Sequence, residues 1–204
     1  MPEITQITVQ TKNKKRCNLF VDGEFFAGVS IESIIKNGLK VGQHVDAKEL
    51  TCLLEENERA EALSKAADYI SKALKTKKQV KDYLVRKGYS EEVAWYCIDK
   101  LKEYNYIDDQ EYSRRYIESV SKNQGKKLMA YKLMAKGVKK EDIESAYNET
   151  EIDSKQNAKN VAVKYLRNKT IDKETLAKTY RYLISRGFSY DEASYAISEL
   201  DKED

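Results

Sequence analysis

The sequence predicts a mainly helical protein: three tandem three-helix repeats in an elongated, curved array, preceded by a small antiparallel β-sheet region. Three observations carry that expectation. A glycine-centred block recurs three times, at spacings of 49 and 50 residues. Proline occurs once and glycine eight times in 204 residues, with Lys, Glu, Ala and Tyr abundant, a composition that favours helices. Strand-period alternation is confined to the first 30 residues.

Composition narrows the field further. Cys17, Cys52 and Cys97 are an odd number and far apart, which argues against a disulfide-built secreted scaffold. No run of apolar residues is long enough for a membrane span, and the N-terminus lacks an apolar signal core, so a cytoplasmic protein is expected.

The N-terminal elements follow in order. Residues 5–10 alternate in the strand period, as do Cys17, Leu19 and Val21. Asp22-Gly23 then sits between two such runs, a strong hairpin signal, and Phe25, Ala27 and Val29 continue the alternation. Strands are expected at about 4–11, 17–22 and 24–29. Ser30 is placed to cap a short helix over 31–37, stopped by Gly38. Asp46-Ala47-Lys48-Glu49 has capping-box spacing ahead of a helical run from about 47 to 75.

The repeat blocks align as Leu84–Arg86–Lys87–Gly88–Tyr89, Leu133–Ala135–Lys136–Gly137–Val138 and Leu183–Ser185–Arg186–Gly187–Phe188. Four residues after each glycine stands an acid: Glu92, Glu141 and Asp191. Ala94, Ile143 and Ala193 follow, and three residues later Cys97, Ala146 and Ala196, the spacing of one helix face. The physical reading is helix, glycine stop, helix. A basic residue before the glycine suits the negative helix end, glycine permits the left-handed exit, and the acid suits the positive end of the next helix. A further amphipathic helix precedes each block, at about 62–75, 110–122 and 155–168. The division expected is 1–45 for the β-meander and short helix, 46–61 for a connecting helix, and 62–106, 107–153 and 154–204 for the repeats. Units of this size stack on their neighbours and bury a continuous core.

Charge follows the repeat. Segments 72–87, 122–140 and 155–187 carry +6, +7 and +7, whereas 89–113, 141–153 and 188–204 carry −5, −6 and −5. The overall +3 hides this alternation. Stacked units would align the basic second helices into one stripe, with Tyr83, Tyr131, Tyr180 and Tyr182 nearby, the footprint of a surface for nucleic acid or acidic protein. Solvated helix faces are the plainer alternative for any single run, and tyrosines at helical spacing commonly serve the core.

Marks of catalysis are sparse. His44 is the single histidine, no Cys/His cluster has zinc spacing, and neither a phosphate loop nor a dinucleotide turn is present. Glu91-Glu92 and Asp108-Asp109 read as helix N-terminal charges, Cys97 as a core residue, and Trp95 as a packing residue. No catalytic residue, metal or cofactor is expected.

The repeat resembles the RecX family of bacterial recombination regulators. The resemblance covers about residues 60–200. It rests on Tyr106-Ile107-Asp108-Asp109-Gln110-Glu111-Tyr112 and on Gly125-Lys126-Lys127-Leu128 followed by Lys132-Leu133-Met134-Ala135-Lys136-Gly137-Val138. Lysine stands at places where the family often carries arginine, a better bidentate partner. The resemblance implies a non-enzymatic negative regulator of homologous recombination and DNA repair, acting in the SOS response. Such proteins bind the RecA recombinase filament on single-stranded DNA and inhibit its ATPase and strand exchange. The residues expected to meet DNA or recombinase are Lys126, Lys127, Lys132 and Lys136 centrally, Lys77, Lys78, Lys81 and Arg86 on one flank, and Arg181 and Arg186 on the other. A monomer is expected. Two other readings remain: a nucleic-acid-binding repeat module with no recombinase partner, and an enzyme built from scattered carboxylates and tyrosines.

Overall fold

A computed structural model describes residues 1–11 and 13–200. The last four residues of the expected third repeat and its acidic stretch, 201–204, lie outside them. The chain forms two compact units, one of Met1–Ser71 with Tyr83–Lys100 and one of Lys72–Asp82 with Leu101–Asp204.

In the first unit, strands β1 (Ile4–Val9), β2 (Arg16–Val21) and β3 (Glu24–Ser30) form an antiparallel sheet in that order. The β2–β3 turn is tight because Asp22 and Gly23 both take positive φ, 50° and 84°, as a two-residue hairpin of the right twist requires. One sequence expectation fails on β3. Leu19 faces Ala27 while Phe20 faces Phe25, so Phe26 is an extra, bulged residue. The bulge resets the alternation. Phe25 is therefore 61% exposed, edge-on to Phe20, and Phe26 packs toward the core instead.

That core joins Ile4, Leu19 and Val29 of the sheet to Val45, Leu50 and Leu53, so the long helix covers the sheet's apolar face. Helix α1 (Ile31–Lys36) begins where the Ser30 hydroxyl accepts the Ser33 N–H at 3.0 Å. Helix α2 (Ala47–Ile70) opens on a complete capping box. Asp46 accepts the Glu49 N–H at 2.7 Å and Glu49 accepts the Asp46 N–H at 3.1 Å. The helix stops at Ile70 rather than near 75. Thr76 and Gln79 exchange backbone-to-side-chain hydrogen bonds that start the next helix, so the chain leaves α2 before them.

The repeats comprise α3 (Lys77–Arg86) and α4 (Glu91–Glu103) after the end of α2; then α5 (Asp109–Val120), α6 (Lys126–Ala135) and α7 (Lys140–Glu149); then α8 (Ser154–Leu166), α9 (Lys173–Ser185) and α10 (Tyr190–Leu200). Each glycine block forms the same stop. Gly88, Gly137 and Gly187 have φ of 92°, 84° and 87°. The N–H one residue further on (Tyr89, Val138, Phe188) donates to the carbonyl of Leu84, Leu133 or Leu183 at 3.2 Å, which closes the helix end. Those three leucines are fully buried, as are Ala94, Cys97, Ala146, Ala193 and Ala196. Leu133 belongs to a core of Ile117, Met129, Val138, Ile143 and Ala146. Leu183 belongs to one of Ala158, Val161, Ala162, Leu166, Phe188 and the α10 alanines. The aspartates at 108, 153 and 172 cap α5, α8 and α9 through their side chains. Helix α9 has 13 residues against 10 for α3 and α6.

Candidate nucleic-acid and partner interface

Within the second unit, the starts of the basic helices α3 and α6 abut the glycine stops of the repeats that follow them. The first four N–H groups and last four carbonyls of a helix lack intrahelical partners, and the α6–α9 junction pairs the two kinds directly while the α3–α6 junction reaches the carbonyl through a hydroxyl. The Thr76 hydroxyl donates to the Lys136 carbonyl at 2.7 Å. At the corresponding place one repeat later, the Gly125 N–H donates to the Arg186 carbonyl at 3.0 Å and the Lys127 N–H to the Gly187 carbonyl at 3.2 Å. The approach is close. A Cβ on Gly125 would lie 2.3 Å from the Gly187 carbonyl, and one on Gly137 would lie 2.4 Å from the Lys78 Cβ. The first junction has an added part. The Lys77 N–H donates to Asp109 Oδ1 at 2.9 Å, and the Lys77 ammonium stands 3.9 Å from Oδ2. Burial pushes the Asp109 pKa up, and the Lys77 amide and ammonium pull it back.

These junctions gather several of the sequence-predicted residues. At the start of α3, Thr76 bonds the Lys136 carbonyl, next to it Lys77 bonds Asp109, and the Lys78 ammonium lies 3.5 Å from the Ala135 carbonyl at the end of α6. At the start of α6, where Lys126 and Lys127 stand, Gly125 bonds the Arg186 carbonyl and Lys127 the Gly187 carbonyl, and the Arg186 Nε donates to the Asn123 carbonyl at 3.2 Å. Lys132 donates to Gln124 Oε1 at 3.0 Å. Lys81 is half-buried in this unit, and Arg181 is exposed on α9 with its Nε bonded to the Ala177 carbonyl. Arg86 belongs to the first unit.

Tyrosine rings hold many of the cations. Lys126 lies over Tyr147 at 4.4 Å, Lys127 over Tyr190 at 5.1 Å and Lys136 over Tyr112 at 5.9 Å. The residue before each glycine repeats the theme: Lys87 over Tyr83, Lys136 over Tyr112, Arg186 over Tyr182. A ring quadrupole orients a cation without neutralising it, so charge stays available for an external anion. Sequence reasoning linked tyrosines to the basic helices but missed this pairing, since most partners lie on other helices. The rings themselves divide. Tyr131 is 67% exposed on α6, whereas Tyr83, Tyr180 and Tyr182 are half-buried. Two tyrosine pairs stack face to face: Tyr69 with Tyr83, centroids 4.2 Å apart, and Tyr165 with Tyr182, 4.4 Å apart.

The acidic helices open as expected, with Glu91 and Glu92, Glu141 and Asp142, and Asp191 and Glu192 in the first turns of α4, α7 and α10. Trp95, expected to pack, lies at the surface of α4. Among the described residues no three His, Cys, Asp or Glu side chains gather as a metal centre would need, and no helix is long and apolar enough to cross a membrane.

A small sheet followed by three helix–glycine–helix units, the second and third glycine stops each packed on the start of the preceding basic helix, defines a helical-repeat protein. Family models match along its length: the regulatory protein RecX N-terminal domain over residues 2–46, and the first, second and third three-helix domains of RecX over 62–101, 108–146 and 152–197. The chain belongs to the RecX family of regulatory proteins. It is 37% identical over 204 residues to regulatory protein RecX of Clostridium botulinum (strain Alaska E43), covering 98% of this chain and 96% of that one. It is 35% identical to that of Clostridium tetani, covering 97% and 94%. In fold it matches a crystal structure of regulatory protein RecX with a TM-score of 0.76 at 24% identity, covering both chains in full. It matches the crystal structure of RecX from Lactobacillus salivarius with a TM-score of 0.65 at 25% identity, covering 72% of this chain and 98% of that one.

Proposed function

We propose that this chain is a negative regulator of homologous recombination that binds the RecA recombinase filament on single-stranded DNA and inhibits its ATPase and strand exchange. The observation that supports this reading best is the repetition of one surface device. A basic residue rests against a tyrosine at each of the three glycine stops, and the α3–α6 and α6–α9 junctions join the start of one basic helix to the end of the next. Such a surface attracts phosphates or acidic protein over a Debye length and speeds encounter. The residues assigned to it are Lys77, Lys78, Lys81, Lys126, Lys127, Lys132, Lys136, Arg181 and Arg186, with Arg86 on the first unit. The acidic first turns of α4, α7 and α10 suit basic protein surface in the same filament. A DNA-dependent RecA ATPase assay with and without the protein tests the reading. Inhibition at stoichiometric ratio is expected, and none at excess overturns it.

The stacked tyrosine pairs favour a second reading, direct binding of nucleic acid without recombinase. It predicts affinity for bare single-stranded DNA that falls steeply with salt.

A further inference from the structure

Helix α6 is apolar on two sides. Met129 and Leu133 face the core of the middle repeat. Tyr131 and Met134 stand on the opposite side, 67% and 48% exposed, with exposed Ala135 beside them and exposed Lys127 one turn earlier. Spacings of three and four residues put these four side chains on one face. A surface helix ordinarily gives its outer face to charged and polar groups, and a helix apolar all round is one that packs on both sides. The other two basic helices keep to that rule at the place of the ring. Six residues before the glycine, Asp82 and Arg181 stand where the middle repeat has Tyr131.

The charge around this face selects its partner. Residues 122–140 carry seven lysines and no acid. Lys127 holds one end of the face, over the Tyr190 ring at 5.1 Å, and the Lys78 ammonium reaches the other, 3.5 Å from the Ala135 carbonyl. A nucleotide strand would engage the lysines and at most the ring, and would leave the Met134 thioether and the Ala135 methyl without an apolar partner. An acidic protein segment that carries an apolar side chain answers both needs. Tyr and Met are enriched where proteins meet, Met adapts to the shape of what it covers, and lysines around them favour acid. From Lys127 to Ala135 the face runs about 12 Å, the length of about four residues of extended chain.

We propose that the outward face of α6, centred on Tyr131 and Met134, is the apolar anchor of the recombinase contact, seated against an acidic segment of that protein that offers an apolar side chain. This rests on the reading of the surface as a filament-binding one and deepens it, by giving this face to protein rather than to DNA.

The test uses the full chain and RecA filaments assembled on single-stranded DNA. Replacing both anchors, Tyr131→Ala with Met134→Ala, is expected to weaken filament binding about tenfold. Both side chains are exposed, so the double variant should melt with the wild type. The loss should persist at high salt, where a loss due to lysine would be screened, and affinity for bare oligodeoxythymidylate should not change. Tyr131→Phe keeps the ring and is expected to keep the affinity. Tyr131→p-benzoylphenylalanine, irradiated on the filament, should attach to the recombinase polypeptide beside acidic residues. Unchanged filament binding by the double variant overturns the proposal, as does an equal loss on bare DNA or a cross-link to the nucleotide strand. If the wild type binds and inhibits the filament and the double variant does both equally well, the anchor alone is removed. A wild-type chain that leaves the filament unbound removes the recombinase reading and the anchor with it.

Discussion

At the scale of single residues, the glycines separate two costs that are usually mixed. Gly88 has a left-handed φ and open space around its missing side chain, whereas Gly125 has ordinary φ but no room at all. Gly88→Ala is expected to cost about 1 kcal/mol, from backbone conformation alone. Gly125→Ala drives a methyl into the Gly187 peptide and is expected to cost about 3 kcal/mol, the upper range for overpacking. Urea unfolding of the two variants measures the difference, and equal costs would contradict the junction geometry. The cysteines divide in a similar way. Cys52 is exposed, Cys17 and Cys97 are buried, and burial pushes the Cys97 thiol up to about 11. One thiol should therefore react quickly with a disulfide reagent in the native protein, and all three after denaturation. Mass spectrometry of the labelled chain should place the fast label on Cys52. Rapid labelling of Cys97 would contradict its place in the core.

At the scale of elements, α5 shows how much local chemistry one helix start can hold. Asp108 accepts the N–H groups of Gln110 and Glu111 at 2.8 and 3.2 Å, so Asp108→Ala should lower stability by about 1 kcal/mol in chemical denaturation. Glu111 is gripped by Arg114 and Arg115, which hold its carboxyl down at about 2. A pKa depressed below its ordinary 4.5 contributes stability that is full above that value and is lost as pH falls toward 2. Glu111→Gln should remove that part of the acid dependence between pH 4.5 and 2, as read from thermal melts across the window. An unchanged acid profile would show that the arginines do not hold the carboxylate in solution.

Elements were also where sequence reasoning worked best and where it failed. The glycine stops were legible because Leu, a base, Gly and an apolar residue each satisfy a separate need of one helix end. The Asp46 and Asp108 caps were legible for the same reason. The β3 bulge was not. A bulge changes which face each later residue takes, and nothing in Phe25-Phe26-Ala27 distinguishes an inward Phe25 from an inward Phe26. Helix α2 ends before the expected helical run does because the chain leaves it ahead of the Thr76–Gln79 reciprocal cap, which starts a new helix.

At the scale of the whole molecule, the charge alternation was readable from segment sums, but the manner of its display was not. Tyr112, Tyr147 and Tyr190 are far in sequence from the lysines they support, and only the fold brings them together. The surface charge carries its own prediction. Charge reversal of Lys126 and Lys127 together should weaken filament binding at least tenfold at low salt, with the deficit shrinking as salt screens the field. Unchanged filament binding at low salt would remove α6 from the interface.

The buried carboxylate of Asp109 has a consequence of its own. At the matching places in the other two repeats stand Ala62 and Ala158, both fully buried, and neither can accept the amide that opens a neighbouring helix. The three units share a plan but are not interchangeable copies. The middle one bears a buried acceptor for the helix that begins at Lys77, and a chain assembled with its units shuffled would leave that helix's opening amide facing a methyl group.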